Sequence, residues 1–330
     1  MDDYIGFLVS KLKNKINNYI FSTTARYQKD FKELPEKEYN GISLASYMLN
    51  DPKVAKEIFT YLDGKTQNVF IDIEKKQSID LWKIAKANIK ETNLIPVKPN
   101  DATLEAAYQL ILNKSNYDLA DKSVLIYGAG NIGSKLALRL AEVNIKVYLT
   151  SRDMDKVNTL AASFNAILPA YSDGEVIPAK TINDIKKVDY LITFISADKI
   201  IGPEYLKVLK PDGIAIDGGI NNFTKEFLNE AHNNNTSVLR VDVRLGTPQL
   251  LFSLFDETKE FFNEVQGSDI IDGVPVVAGG IIGQKGDIVV DRIKNPTQVY
   301  GVANGYGGLI DNDEEYRLQI AKVERQLQKN

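Results

Sequence analysis

Residues 123–133 read SVLIYGAGNIG, an apolar run that ends in Gly128-Ala129-Gly130-Asn131-Ile132-Gly133. SVLIY has the composition of a buried strand, and the IGSKLALRL that follows carries apolar residues at helical spacing. A G-x-G-x-x-G pattern is weak by itself, but between a strand and a helix it gains a physical meaning. Gly128 permits a tight turn, Gly130 lets the backbone approach a pyrophosphate, and Gly133 lets the helix pack closely on the strand. The helix start offers unpaired N–H groups and a partial positive charge to the phosphates. Gly128, Ala129, Gly130, Asn131, Ile132 and Gly133 are thus expected to form a dinucleotide-binding turn.

Working outward, strand and helix patterns alternate. KVYLTSR (146–152) reads as a strand and DMDKVNTLAASFN (153–165) as a helix; VDYLITFIS (188–196), GIAIDGG (213–219) and SVLRVDV (237–243) read as further strands. Helices are expected over GPEYLKVLK (202–210) and TKEFLNEAHNNN (224–235). Alternation with short connections predicts parallel strands with right-handed crossovers, a doubly wound α/β sheet over residues 114–247. Ligands bind outside the carboxyl ends of such strands. Ser151 lies 18 residues past Gly133 (151 − 133), where an NAD site carries an acid. Ser151 followed by Arg152 suits a ribose 2′-phosphate instead, because guanidinium pairs bidentately with phosphate. NADP is therefore expected over NAD, with Asp153 reading as a helix cap. Ser196 and Ala197 are expected beside the cofactor ribose, and Gly218 and Gly219 are expected to leave room for the nicotinamide.

Ahead of this region, residues 1–113 read as a smaller α/β substrate domain. Tyr4, Phe7, Leu8, Leu12, Ile16 and Tyr19 recur at helical spacing, and the material up to residue 50 reads as mostly helical. A helix over 50–63 is bracketed by Asp51-Pro52 and Gly64, followed by a strand in NVFIDIEKK (68–76) and a helix over 78–91. A short strand in 93–101 leads to a helix capped by Asp101. Lys75, Lys76 and Lys98 end strands on this wall of the cleft, and Asp101 starts the helix that links the domains. A Lys–Asp pair can move a proton while hydride moves to or from carbon, which makes Lys98, Asp101 and Lys75 the candidate catalytic residues. After residue 247, one helix of about five turns is expected to 267. A β-hairpin turning at GQKG (283–286), a loop at 301–308 and a C-terminal helix follow, with Tyr316, Ile320, Val323 and Leu327 on one face. Residues 248–330 are expected to pack back on the first domain, and the chain to form a homo-oligomer.

Three stretches resemble a known group. GAGNIGSKLALRLAEVNIKVYLTSR (128–152) is similar to the cofactor domain of shikimate dehydrogenases. LKPDGIAIDGGIN (209–221) is similar to a segment of methylenetetrahydrofolate dehydrogenases. GINNFTKEFLNEA (219–231) with TPQLLFSLFDETKEFF (247–262) resembles the last strand–helix unit and following helix of shikimate dehydrogenases. The resemblance spans about residues 98–265 and is to the amino-acid-dehydrogenase-like superfamily of two-domain NAD(P)-binding enzymes. It implies hydride transfer to or from a small polar metabolite held between the domains. It also implies a Lys and an Asp acting together, Asp101 matching the Asp of the linker motif and Lys75 matching the Lys more loosely. The Gly-Arg-Ser loop of the folate enzymes has no counterpart.

Composition narrows the classes. Across 330 residues there is no cysteine and a single histidine, His232. Thiolate metal sites, disulfides and cysteine nucleophiles are excluded, and no metal site is expected. His232 sits at a helix end and reads as water-facing. With 40 basic and 44 acidic residues the net charge is −4, which predicts no nucleic-acid partner. The absence of a long apolar run and of a signal-like N-terminus predicts a cytoplasmic chain without membrane spans. Two other readings remain open, a non-catalytic NAD(P)H-binding sensor or scaffold and a pterin or folate one-carbon dehydrogenase.

Overall fold

The computed structural model describes residues 3–13, 15–24 and 30–327. The chain divides into two compact units, Met1–Leu250 and Leu251–Asn330.

The first unit opens with α1 (Asp3–Lys13). It stops where Lys15 turns left-handed (φ 60°) and the Ile16 N–H returns to the Lys11 carbonyl at 3.2 Å, a Schellman-type ending. The expectation of one helix reaching Tyr19 is corrected. Tyr19 lies in β1 (Asn18–Ser22), and Leu8, Ile16 and Tyr19 share a core without sharing a helix. The side chains of Tyr4 and Phe7 lie outside the described residues. Instead of helical material, β2 (Phe31–Tyr39) and β3 (Ile42–Leu49) form a hairpin. Its two-residue loop is Asn40-Gly41, both at positive φ (51° and 74°), with Tyr39 opposite Ile42. Asn-Gly between strand-like runs is the strongest short-range hairpin signal, so this element was readable in the sequence.

Next come α2 (Pro52–Leu62), β4 (Asn68–Asp72), α3 (Leu81–Asn88), β5 (Asn93–Val97) and α4 (Pro99–Lys114). Asp51 caps α2 by accepting from the Lys53 and Val54 N–H groups. The strands form a five-stranded sheet in the order β2-β3-β1-β4-β5, antiparallel only at the β2 edge. Asn18, Asn68 and Asn93 are in register, and their amides bond across three strands, Asn68 to Asn18 at 2.8 Å and Asn93 to Asn68 at 3.3 Å. Such a ladder satisfies polar groups that burial would otherwise leave costly.

From Ser123 the chain builds β6 (Ser123–Tyr127), α5 (Asn131–Glu142), β7 (Lys146–Thr150), α6 (Met154–Ile167) and β8 (Glu175–Pro178). It continues through β9 (Val188–Thr193), β10 (Leu209–Asp217), α7 (Lys225–Asn233) and β11 (Ser237–Arg240). These six strands are all parallel, in the order β11-β10-β9-β6-β7-β8. This is the doubly wound Rossmann arrangement, with its switch point between β6 and β9. β8 went unread because its four residues follow a polar loop. The expected helix after Gly202 is a 3₁₀ segment, Pro203–Val208. The expected five-turn helix is broken into α8 (Thr247–Leu251), a 3₁₀ turn, α9 (Asp256–Glu260) and a π turn over Phe261–Val265.

The second unit holds β12 (Gly267–Ile271), β13 (Val274–Ala278), β14 (Ile288–Val290), β15 (Val299–Val302) and α10 (Arg317–Leu327). The expected hairpin at 283–286 is corrected: β13 and β14 run parallel, so GQKG lies within a crossover connection. The hairpin is β12–β13, turning at Asp272-Gly273 with φ 49° and 76°. β15 also begins before the expected loop. Val323 of α10 is fully buried, and Tyr316, Ile320 and Leu327 pack around it on Val274, Val276, Ile288, Val290 and Val302. The apolar face of the tail thus docks on the sheet of its own unit. Among the described residues no helix is long and apolar enough to cross a membrane.

Val323→Asp places an unpaired charge in this core and should lower the melting transition of the 251–330 unit. Leu318→Asp, at a position 78% exposed on the same helix, should leave it unchanged. Differential scanning calorimetry of both variants separates the two; equal melting would mean that α10 does not hold this unit together.

Candidate functional site

The glycine loop leaves β6 and enters α5 through contacts that admit no side chain. Gly128 has φ 125°, and its N–H donates to the Thr150 carbonyl at 2.8 Å. A Cβ there would meet the Phe194 carbonyl oxygen at 2.4 Å. A Cβ on Gly133 would lie 1.9 Å from the Gly128 carbonyl oxygen, so the first turn of α5 rests directly on the loop. Gly130 differs, because nothing lies within 4 Å of its Cβ position. It occupies the N-cap of α5, and no side chain caps that helix. Ala129 is buried, Asn131 exposed and Ile132 half-buried. Open backbone at the start of an uncapped helix is the arrangement that receives a pyrophosphate.

At the end of β7 the Ser151 hydroxyl donates to the Asp153 carbonyl at 3.0 Å. Asp153 caps α6, its carboxylate accepting from the Lys156 N–H at 3.0 Å. Arg152 is exposed, and among the described residues it forms no ion pair. The end of β7 therefore presents a hydroxyl and a guanidinium without an ion pair, while the nearby carboxylate is engaged.

The third edge, at the ends of β9 and β10, is built around a residue the sequence reading missed. Asn222 is fully buried. Its side chain donates to the Ile195 carbonyl at 3.0 Å and the Ala197 carbonyl at 2.8 Å, and accepts from the Ile195 N–H at 3.2 Å. Asp217 accepts from the Gly219 and Asn222 N–H groups at 3.0 and 3.2 Å. Between them Ile220 and Asn221 are held at φ 67° and 58°, a costly conformation for a branched residue. A Cβ on Gly218 would strike the Phe194 ring at 2.3 Å, and one on Gly219 the Asn222 side chain at 2.1 Å. Both glycines thus make room for the chain's own atoms. The Asp217…Asn222 spacing across a Gly-Gly turn is the signal that could have pointed to Asn222. Ser196 is exposed and Ala197 half-buried beside this staple.

At the start of α4 Lys98 and Asp101 meet, Lys98 Nζ lying 2.7 Å from Asp101 Oδ2. The sequence suggested Asp101 as the cap of α4, and the structure corrects this. Lys98 holds the N-cap position, and Asp101 lies in the first turn. The acceptor at this helix start comes from Glu74, which takes the Asn100 N–H at 2.9 Å. Asp101 Oδ1 is bonded by Lys135 of α5, a partner not foreseen. Burial pushes the Asp101 carboxyl up, but the Lys135 and Lys98 ammonium groups outweigh it and hold it below the usual carboxylate range. The hydrogen bond to Asp101 raises Lys98 in turn. Lys75 is three-quarters exposed and pairs with Asp80 at 3.1 Å. Lys76 sits between the buried Asp72 (2.9 Å) and Glu74 (3.0 Å). His232 is exposed at the end of α7. The structure brings Lys98 and Asp101 together and leaves Lys75 apart from them.

Asn222→Ala would strip the partners from two loop carbonyls and one N–H. Leaving such groups unsatisfied should cost about 1–3 kcal/mol, read as a lower denaturant midpoint with an unchanged m value. An unchanged midpoint would show that the loop holds without this staple.

No family model matches this chain, and no curated protein sequence matches it. Solved structures of similar fold exist. L-tryptophan dehydrogenase from Nostoc punctiforme is similar over 65% of this chain at 14% identity, with a TM-score of 0.42. This chain spans 63% of that enzyme's length. A shikimate dehydrogenase in complex with NADP+ is similar over 72% of this chain and 90% of its own, at 14% identity and a TM-score of 0.46. A dipicolinate synthase polypeptide from Bacillus halodurans is similar over 72% of this chain and 78% of its own, at 15% identity and a TM-score of 0.39. At these identities and TM-scores the likeness is a distant one.

Proposed function

We propose that this chain is an NADP-dependent oxidoreductase acting on a small polar metabolite bound between its five-stranded and six-stranded sheets. The observation that carries the reading is the division of labour in the glycine loop. Gly128 and Gly133 are consumed by internal contacts, while Gly130 is left open at an uncapped helix start. The unpaired Arg152 beside Ser151 supports NADP over NAD. The residues fit such a cofactor: the N–H groups following Gly130 would hold the pyrophosphate, and Arg152 the 2′-phosphate. The bound dinucleotide would supply or accept the hydride.

The chain's own residues supply the charge around the reacting carbon. Lys98 is half exposed and fixed by Asp101, so its ammonium remains protonated and is positioned to stabilise an oxygen that gains negative charge. Both oxygens of Asp101 are engaged, so its role is to orient Lys98 rather than to carry a proton. A second reading, a non-catalytic dinucleotide-binding sensor, draws on one observation. The Phe194 ring takes up space beside Gly218 where a nicotinamide was expected to lie.

Two substitutions test the cofactor half of the proposal. Arg152→Ala removes a charge-assisted contact worth about 1.5–3 kcal/mol, so NADP should bind roughly tenfold weaker or worse with NAD little changed. Equal loss for both, by titration calorimetry, would mean that Arg152 does not read the phosphate. Gly130→Val fills the open approach and should abolish dinucleotide binding while the far-ultraviolet circular dichroism stays as in the parent. Undiminished binding in that variant would place the ligand elsewhere.

A further inference from the structure

We propose that Lys135 is a positioning residue: it holds one oxygen of Asp101 from the helix that opens at the glycine loop, and so makes the charge felt by Lys98 depend on whether that loop holds a dinucleotide. The inference rests on the dinucleotide reading above and adds to it a route by which cofactor binding prepares the cleft.

Asp101 is one carboxylate shared by two ammonium groups, Lys135 on Oδ1 and Lys98 on Oδ2. The three side chains together carry one net positive charge. Their exposures differ in the useful direction, with Asp101 at 17%, Lys135 at 37% and Lys98 at 50%. The carboxylate is sheltered, and Lys98 is the most open of the three. Glu74 adds a weaker attraction on Lys98, but its carboxylate is already bonded to Lys76 and the Asn100 N–H.

The seat of Lys135 is fixed by the next rung. One turn along both helices Glu105 pairs with Arg139, whose guanidinium lies over the Tyr108 ring at 3.8 Å. Asp101 and Glu105 on α4 thus meet Lys135 and Arg139 on α5 at matching four-residue spacing, and α4 cannot slide without breaking both pairs. Lys135 lies five residues past Gly130, about 7.5 Å along the helix at 1.5 Å per residue. Phosphate charges arriving at the helix start attract the Lys135 ammonium over that distance. Whatever hold they gain on Lys135 is withdrawn from Asp101, whose negative charge then falls more fully on Lys98. The ammonium of Lys98 becomes harder to deprotonate and more firmly oriented when the cofactor is in place.

The test follows Lys98 directly. Reductive methylation with ¹³C-formaldehyde labels lysine amines, and the Lys98 signal, assigned with Lys98→Arg, is titrated by NMR in the full chain with and without NADP. In the parent protein, saturating NADP should raise the Lys98 midpoint by about half a pH unit or more. In Lys135→Met, and in Lys135→Gln as a second removal of the charge, the midpoint without NADP should already be raised and NADP should move it by less than half as much. Lys135→Arg should behave as the parent does. A role limited to bracing the helices would alter melting but not this titration. An NADP shift of the same size in the parent and in Lys135→Met overturns the coupling alone. Identical midpoints in the two without NADP overturn the sharing of Asp101. Failure of the parent to bind NADP overturns the dinucleotide reading, and the coupling with it.

Discussion

The first turn of α5 rests on the Gly128 carbonyl at a distance that leaves no space for a methyl group, and much of the first unit is referenced to that contact. It sets how far the helix start stands from the end of β6. It also sets where the unpaired N–H groups point. Because Gly128 is pressed at the same time against the Phe194 carbonyl, the loop is pinned between two parallel strands, β6 and β9. Gly130 remains open because its neighbours carry all the internal packing. A rigid frame around a bare stretch of backbone is what the proposed binding by the main chain itself would require.

The same helix carries the charges that reach the other sheet. α4 crosses from the five-stranded sheet to the six-stranded one, and its acidic face meets the basic face of α5. Partly buried ion pairs contribute little net stability after desolvation, but they fix geometry. Here they fix Asp101 between Lys98 and Lys135. The Asn222 staple does comparable service at the ends of β9 and β10, holding Ile220 and Asn221 in a backbone conformation they would not adopt alone.

The regions legible in the sequence were those where one periodicity dominated. The doubly wound sheet could be read because SVLIY, KVYLT and VDYLIT are continuous apolar runs, each followed by turn chemistry. Tyr19 was assigned to the wrong element because its spacing from Leu12 and Ile16 fits a helix, whereas the real stop at Lys15 depends on a left-handed lysine that has no sequence signature. The β13–β14 pair was misread because Gly283 and Gly286 look like a hairpin turn, and strand direction is decided by pairing partners distant in the chain. In the candidate site, Lys98 and Asp101 could be singled out from their place in the chain, and the structure pairs them. Lys135 and Asn222 could not, since the one depends on how two helices lie side by side and the other on a buried amide that only the folded loop reveals.

The order of the five-stranded sheet bears on how the chain is made. β1 is its central strand, yet it precedes both of its neighbours, with Tyr19 paired to Ala45 on one side and to Val69 on the other. As the chain leaves the ribosome, the apolar Tyr19-Ile20-Phe21 segment emerges early and has no partner until β3 and then β4 have followed it. Strands that close only through distant parallel pairing are slow to form, and their exposed apolar segments favour association between chains. The Asn40-Gly41 hairpin forms locally and quickly, and it delivers β3 ready to receive β1. The early strand is thereby sheltered on one side well before β4 has been synthesised.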